Sequence, residues 1–187
     1  MKVLIIDNID SFTYNLKHYL NHFCNNVDVI RFNHVKVNDI IKYDKILFSP
    51  GPGLPNEYKV LNDILSRYAA SKSILGVCLG HQAIAEFYGC FLENITTPLH
   101  GVYTYVKHLN NCNLFDDLPQ NFKIGHYHSW VISKKYIPDV LEITSFNESG
   151  LIMSIKHKKH DIRSVQFHPE SILTDYGLKI IENWIFR

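Results

Sequence analysis

Short apolar runs alternate along the first half of the chain with segments whose apolar residues recur at helical spacing. Residues 3–6 form a continuous apolar run, which is typical of a strand buried on both faces, and the short apolar segments at residues 27–30, 45–48 and 74–77 are predicted as the second, third and fourth strands. Helices are predicted after the first, third and fourth runs, with Asp10 or Ser11 as the cap of the first helix. The apolar positions of the first two helices are Phe12, Leu16, Tyr19, Leu20 and Phe23, then Leu61, Ile64, Leu65, Tyr68 and Ala69, and the third helix is predicted at residues 79–88.

The second half of the chain is richer in strand patterns. Strands are predicted at residues 102–106, 131–132, 140–144, 151–155 and 164–167. A last helix is predicted from about Thr174, with Leu178, Ile181, Trp184 and Ile185 facing inward. Alternating strands and helices predict an α/β fold, an open and mostly parallel sheet with helices on both faces and extra strands in the C-terminal half. No repeat or linker interrupts residues 1–187, so we expect a single domain.

The composition is that of an ordinary soluble protein and excludes several functional classes. Apolar residues make up 46% of the 187 residues and charged residues 20%, with a net charge of +1. We therefore expect no nucleic-acid partner, and we interpret the basic residues 156–160 as a solvated turn. The chain shows no signal peptide and no apolar run of about 18 residues, which predicts a cytoplasmic protein without membrane contact.

Cys78 is the first candidate for chemistry. It lies between Gly76 and Gly80 directly after an apolar run, a pattern typical of a nucleophile on a sharp strand-to-helix turn. The positive end of the helix dipole would favour the reactive thiolate there. The pattern alone is equally compatible with a buried cysteine packed between glycines. The remaining cysteines, Cys24, Cys90 and Cys112, form no CxxC pair with it and are expected to be packing or surface residues.

His168 and Glu170 complete a possible catalytic group. His168 follows a predicted strand, Pro169 stops that strand, and Glu170 is close enough to bind one nitrogen of the imidazole ring. The other nitrogen would then face the thiol, as in a nucleophile, base and orienting-residue triad. A turn histidine is the simpler interpretation of His168 taken alone. A metal site is not indicated, because the histidines lack an HExxH or comparable spacing.

A glycine-rich loop follows the third strand at its carboxyl end, where open α/β sheets place their ligands. The loop, residues 49–53, reads Ser-Pro-Gly-Pro-Gly, so only Gly51 and Gly53 can offer N–H donors after the serine. Acyl transfer needs two donors aimed at a developing oxyanion. We predict the amides of Gly51 and Leu79 in this role, against the alternative of a rigid turn that binds nothing.

These segments, in this order, resemble the class I (triad-type) glutamine amidotransferases, whose fold is flavodoxin-like. More narrowly, the chain is similar to the glutaminase subunits of anthranilate synthase and of aminodeoxychorismate synthase. The resemblance spans nearly the whole chain, so it does not rest on one motif. The matching stretches are residues 7–15, 49–53, 76–85, 100–101, 127–130 and 165–173.

The resemblance implies hydrolysis of the side-chain amide of L-glutamine. Cys78 would attack the amide carbon, His168 would protonate the departing ammonia, and Glu170 would hold the imidazole ring. The glutamine-binding positions carried over by motif, together with the predicted oxyanion donors, are Gly51, Pro52, Gly53, Leu79, Gln82, Ser129 and Trp130. Gln82 is four residues after Cys78, hence one helical turn away on the same face.

The resemblance also implies a partner. Ammonia would pass to a separate chorismate-using synthase subunit (component I), because this chain shows no chorismate-binding or magnesium-binding portion. No cofactor or metal is expected in this chain, and magnesium is expected on the partner. Residues 7–15 would face that partner.

Four positions depart from the commonest family pattern: Val102, His126, Trp130 and Ser164. None belongs to the predicted triad. The His-Gly-Val and His-Ser-Trp sequences resemble the tryptophan-pathway branch, which favours anthranilate synthase over the folate enzyme. A glutaminase shared by both pathways, a non-catalytic binding protein and a stand-alone cysteine hydrolase are the alternatives.

Overall fold

Nine strands form one continuous sheet in the computed structural model, which describes every residue from 1 to 187. The strands are β1 (Val3–Asp7), β2 (Val27–Arg31), β3 (Lys45–Phe48), β4 (Ser73–Val77), β5 (Leu92–His108), β6 (Asn121–Ile132), β7 (Leu141–Asn147), β8 (Ile152–His157) and β9 (Ile162–Val165). Their spatial order is β2-β1-β3-β4-β9-β8-β7-β5-β6. The pairs from β2 to β9 are parallel, and the remaining pairs are antiparallel. The predicted mostly parallel sheet with extra C-terminal strands is confirmed.

Four helices cover the two faces of the parallel part of the sheet. They are α1 (Thr13–Asn21), α2 (Lys59–Tyr68), α3 (Leu79–Phe87) and α4 (Gly177–Phe186). Side chains alternate along β1, so Val3 and Ile5 pack in one buried cluster with apolar residues of α1 and α4. Leu4 and Ile6 point the other way and pack with apolar residues of α2 and α3. None of the helices is both long enough and apolar enough to cross a membrane.

The start of α1 differs from the prediction by one or two residues. Phe12 occupies the N-cap position, and no side chain caps the helix there. The Asp10 carboxylate instead accepts a hydrogen bond from the Phe12 main-chain amide at 2.8 Å. Asp10 therefore orders the turn before the helix and does not cap the helix itself.

The hairpin of β5 and β6 is longer than its apolar pattern predicts. β5 begins at Leu92 instead of residue 102, and β6 begins at Asn121 instead of residue 131. Most of the added β5 residues are exposed or half-buried, and their ladder to β6 is interrupted between Asn94 and Leu99. Main-chain hydrogen bonds, which leave no hydrophobic alternation in the sequence, therefore define the added part of β5, while β6 buries alternate residues that include His126 and His128.

The C-terminal boundaries also differ from the predicted ones. The last strand was predicted at residues 164–167, but β9 ends at Val165. The last helix begins at Gly177 and not at Thr174, because the Thr174 hydroxyl donates to the His168 carbonyl oxygen at 2.6 Å and accepts from the Gly125 amide at 2.9 Å. The inward prediction is confirmed for Ile181, Trp184 and Ile185 but is wrong for Leu178, which is 38% exposed.

The carboxyl ends of β1, β3, β4 and β9 meet at one edge of the sheet. The segments that leave this edge are the start of α1, the glycine loop, the Cys78 turn and the segment that carries His168. The parallel topology thus places the candidate residues on neighbouring strand ends, although they are far apart in sequence.

Candidate active site

Cys78 occupies a strained turn between β4 and α3. Its backbone has φ 51° and ψ −101°, outside the regions that a side chain with a Cβ ordinarily adopts. The Cys78 amide donates to the Val165 carbonyl oxygen at 2.9 Å, which ties the turn to the end of β9. A Cβ at Gly76 would lie 2.5 Å from the Gly80 carbonyl oxygen, and a Cβ at Gly80 would lie 2.4 Å from the Phe48 carbonyl oxygen. The glycines are therefore required for the turn to approach the sheet.

His168 and Glu170 form a buried pair next to this turn. The Nδ1 atom of His168 lies 2.7 Å from Oε1 of Glu170, and the two residues are 1% and 3% exposed. Burial lowers the pKa of His168, but the negative charge of Glu170, followed by that of Cys78, raises it well above its ordinary value. The imidazole is consequently charged at neutral pH.

The other ring nitrogen of His168 is free for chemistry. Its Nε2 atom is buried and has no hydrogen-bond partner, while Cys78 is close enough for its charge to affect the ring. The rings of Phe12 and Tyr127 contact the imidazole, with centroid distances of 5.7 and 4.9 Å. These two aromatic side chains shield the pair from water, and the sequence did not single them out for this role.

The glycine loop is held rigidly against β1 and α3. The side-chain amide of Asn8 donates to the Ser49 carbonyl oxygen at 2.8 Å, and the Asn8 main-chain amide donates to the Ser49 hydroxyl at 2.9 Å. A Cβ at Gly51 would lie 2.6 Å from the Asn8 carbonyl oxygen and 2.9 Å from Cδ2 of Leu79. Gly53 has φ 72°, a left-handed conformation that favours glycine.

Neither of the two amides predicted for the oxyanion role donates to a protein acceptor outside the regular ladders. The main chain at Gly51 packs against the Leu79 side chain. The Leu79 amide is in the first turn of α3, where no intrahelical acceptor exists. Both donors are therefore unused, and their part in stabilising an oxyanion stays a prediction.

A cavity of about 400 Å³ opens next to the Cys78 turn. It is lined by Cys78 and by six of the seven predicted glutamine-binding positions: Gly51, Pro52, Gly53, Gln82, Ser129 and Trp130. Leu79, His168 and Glu170 do not line it and are buried behind the wall. Sequence reasoning missed four lining residues, Leu54, Glu57, Tyr127 and His128, although Tyr127 and His128 directly precede Ser129.

Three other histidines near the site are buried and uncharged. Burial lowers the pKa of His81 to about 3, of His126 to about 4 and of His128 to about 3. Nδ1 of His126 lies 3.0 Å from Nε2 of His128, and Nδ1 of His81 lies 2.8 Å from the Ser164 hydroxyl. None of the three contacts a carboxylate, and no three His, Cys, Asp or Glu side chains are arranged to hold a metal ion.

The arrangement has the parts that acyl transfer requires. A thiol at a strained turn lies beside an imidazole that a carboxylate orients, and the amides of Gly51 and Leu79 are not used by other protein acceptors. Such a set can attack a carbonyl carbon, stabilise the oxyanion and protonate the leaving group.

Comparisons with known proteins give consistent results. The family model "Glutamine amidotransferase class-I" matches residues 4–187. A Haemophilus influenzae protein named "Putative anthranilate synthase component II" is 45% identical over 185 residues, which cover 99% of this chain and 96% of that protein. A "Multifunctional tryptophan biosynthesis protein" from Phycomyces blakesleeanus is 40% identical over 188 residues, and this chain spans 24% of its length.

A solved structure has the same fold. A protein from Thermoplasma acidophilum, described as one of the subunits of a putative GMP synthase, superimposes with a TM-score of 0.89 at 23% identity. The match covers 99% of this chain and 92% of that chain. At this identity the likeness establishes the architecture alone.

Proposed function

This chain belongs to the class I glutamine amidotransferases, and from that premise we propose that it is the glutaminase subunit of an anthranilate synthase. The observation that carries the proposal is the placement of Cys78, at a positive-φ turn, beside the buried His168–Glu170 pair. The names of full-length relatives from several organisms support the tryptophan pathway over the folate pathway.

The proposed reaction begins with attack of the Cys78 sulfur on the side-chain amide carbon of glutamine. The amide oxygen becomes an oxyanion, which the Gly51 and Leu79 amides stabilise. His168 gives its Nε2 proton to the amide nitrogen, the C–N bond breaks, and ammonia leaves a thioester on the sulfur. His168 then takes a proton from water, whose oxygen attacks the thioester. Glutamate departs, the sulfur leaves as thiolate, and His168 regains its charge.

Glutamine is proposed to bind in the cavity of about 400 Å³. The volume of this cavity is within the range usual for small-molecule binding sites, and the polar groups of its wall would fix the orientation of glutamine. Ser129 offers a hydroxyl and Trp130 offers main-chain groups at the end of β6. The Gln82 side-chain amide donates to the Trp130 carbonyl oxygen at 2.9 Å, so its own carbonyl oxygen remains available.

The acceptor of ammonia is proposed to be a separate chorismate-using synthase subunit, in which any required magnesium would bind. This proposal includes a cytoplasmic complex, since both subunits would draw on soluble metabolites. Ammonia is uncharged when the amide bond breaks, and direct transfer would spare it protonation in water. No residue of this chain is proposed to bind chorismate.

Identification of the product is the experiment that tests the pathway. The chain is expected to copurify from its native cell extract with a synthase subunit, and the complex is expected to convert chorismate and glutamine into anthranilate. Mass spectrometry of the product distinguishes the outcomes. A product that retains a 4-amino group and no anthranilate would contradict the tryptophan assignment and support the folate one.

An exposed apolar group beside His168 is the proposed docking surface for the synthase subunit. Ile172 is 96% exposed, two residues after Glu170, and Ile9 and Tyr14, on either side of Phe12, are 51% and 65% exposed. The neighbouring Ser171 hydroxyl lies 3.1 Å from the hydroxyl of Tyr127. Such exposure around a reactive site is typical of an interface.

Ile172→Glu is expected to weaken binding of the synthase subunit by about tenfold or more, because it places a charge in an apolar interface. Calorimetric titration of the two purified subunits measures this change. Ile41→Glu is the matched control, since Ile41 is 68% exposed in the short helical turn Val37–Lys42, which precedes the amino end of β3, whereas the site segments leave the carboxyl ends of the strands. Equal affinities for the two variants would refute the proposed surface.

A further inference from the structure

The side chain of Gln166 lies directly behind the nucleophile. Gln166 is completely buried, at 0% exposure, so it cannot contact a substrate in the cavity. Its Nε2 atom lies 3.7 Å from the sulfur of Cys78, within the range of hydrogen bonds to sulfur. Its Oε1 atom lies 3.2 Å from Nε2 of Gln82. The side chain therefore joins the sulfur to a residue of the cavity wall.

The orientation of this amide is fixed by its neighbours. The Trp130 carbonyl oxygen can only accept, and it receives the Gln82 Nε2 group at 2.9 Å. Because the Gln82 NH₂ group also faces Gln166, the Gln166 side chain must present its oxygen on that side. Its NH₂ group then has to point at Cys78. A rotated amide would place two NH₂ groups against each other and leave the Gln166 oxygen without a donor on that side.

The backbone reinforces this position. The main-chain amide of Gln166 donates to the Met153 carbonyl oxygen at 2.8 Å on β8. The preceding residue, Val165, accepts from the Cys78 amide. Backbone and side chain of this segment thus hold the same cysteine at two points.

We propose that Gln166 is a catalytic residue that donates a hydrogen bond to the Cys78 sulfur, stabilising its thiolate form and directing it towards the cavity. The inference rests on the proposed function, since it assigns a role within the same site. A hydrogen bond to a charged acceptor is stronger than one to a neutral acceptor, so the donor favours the thiolate over the thiol. His168, the other group near the sulfur, transfers protons during the reaction. Gln166 differs from it because its amide only donates a hydrogen bond and does not give up a proton.

The test is the pH dependence of alkylation of Cys78 by iodoacetamide, followed by mass spectrometry of the peptide that contains it. Site-specific detection is needed because Cys24, Cys90 and Cys112 are also free thiols. Gln166→Met keeps the side-chain length and removes the donor. Its alkylation curve is expected to shift by about one unit to higher pH, so that the rate on the rising part of the curve falls about tenfold at a given pH.

Turnover of glutamine is expected to change in kcat and not in KM. We expect kcat of Gln166→Met to fall about tenfold to a hundredfold, while KM stays within about threefold, because the side chain does not line the cavity. Gln166→Glu keeps the acceptor for Gln82 but replaces the donor by oxygen, so the alkylation curve is expected to shift in the same direction. It serves as the second variant if Gln166→Met does not fold.

Asn183→Leu is the control for loss of a buried amide. Asn183 is 1% exposed and donates to the main-chain oxygens of Leu114 and Asp116, in a different part of the molecule. It is expected to lower the urea midpoint of unfolding without moving the alkylation curve. If a folded Gln166 variant has the same alkylation curve as the unsubstituted protein, the proposal is overturned. Because alkylation requires neither glutamine nor a partner, absence of glutamine-dependent anthranilate synthesis by the complex of the unsubstituted protein with its synthase subunit would refute the proposed function separately.

Discussion

Cys78→Ala, combined with the synthase subunit, is expected to make anthranilate from ammonium chloride at the unsubstituted rate and from glutamine at less than about a thousandth of it. The substitution removes the only atom proposed to form the thioester. The turn survives it, because alanine still has a Cβ and the main-chain hydrogen bond from residue 78 to Val165 is kept. Parallel assays with each nitrogen source measure the difference.

A matched control is Cys90→Ala, which removes another buried thiol at the end of the segment after α3. Burial raises the pKa of Cys90 to about 11, so it is an unreactive thiol, and both nitrogen sources are expected to support normal rates. Substantial glutamine-dependent synthesis by Cys78→Ala would eliminate the covalent mechanism. Loss of the ammonium-dependent rate would show instead that the substitution disrupts the complex.

Glu170→Gln is expected to lower kcat/KM for glutamine by about a hundredfold or more and to move the alkaline limb of its pH profile to lower pH. Burial lowers the pKa of His168, and the charge of Glu170 is the largest effect that raises it. Without that charge the pKa falls, so the ring loses its proton at a lower pH. The protonated ring is needed to release ammonia, hence activity declines earlier as pH rises.

The pH profile separates this electrostatic role from simple loss of structure. Glutamine at position 170 keeps a carbonyl oxygen at hydrogen-bonding distance from Nδ1, so the ring orientation is largely preserved. Unfolding in urea, measured at each pH, shows whether the variant is intact. A reduced rate with an unmoved alkaline limb would contradict the assigned charge effect. The ammonium-dependent rate of the complex provides the internal control, because it does not use His168.

The parallel half of the fold was predictable because its strands are buried and therefore consist mostly of apolar residues. Continuous apolar runs mark β1, β3 and β4, and the Gly-x-Cys-x-Gly sequence marks the turn at Cys78. The β5–β6 arm was predicted too short for a different reason in each strand. The added β5 residues are exposed or half-buried, whereas the buried face of β6 includes the polar residues His126 and His128, which interrupt its apolar alternation. Hydrophobic periodicity therefore did not reveal the full length of either strand.

The site was predictable in its chemistry and incomplete in its surroundings. Cys78, His168 and Glu170 carry reactive groups in recognisable sequences, so residue type alone makes them candidates. Gln166 and Phe12 matter because of where they lie. The Gln166 amide contacts the Cys78 sulfur from the buried side, and the Phe12 ring packs against the imidazole of His168. Their roles can be recognised only from the three-dimensional structure, because glutamine and phenylalanine are common residues in any sequence.

The pairing of β4 with β9 has a consequence for the newly made chain. A ribosome extends the polypeptide from the N-terminus, so the nucleophile segment emerges long before Ile162–Val165 can lie beside Ser73–Val77. Until that late strand inserts, the imidazole and its carboxylate are absent from the growing half-sheet. The nascent protein therefore cannot consume glutamine, and the capacity to liberate ammonia arises only after the segment that carries His168 and Glu170 has been made and has joined the sheet.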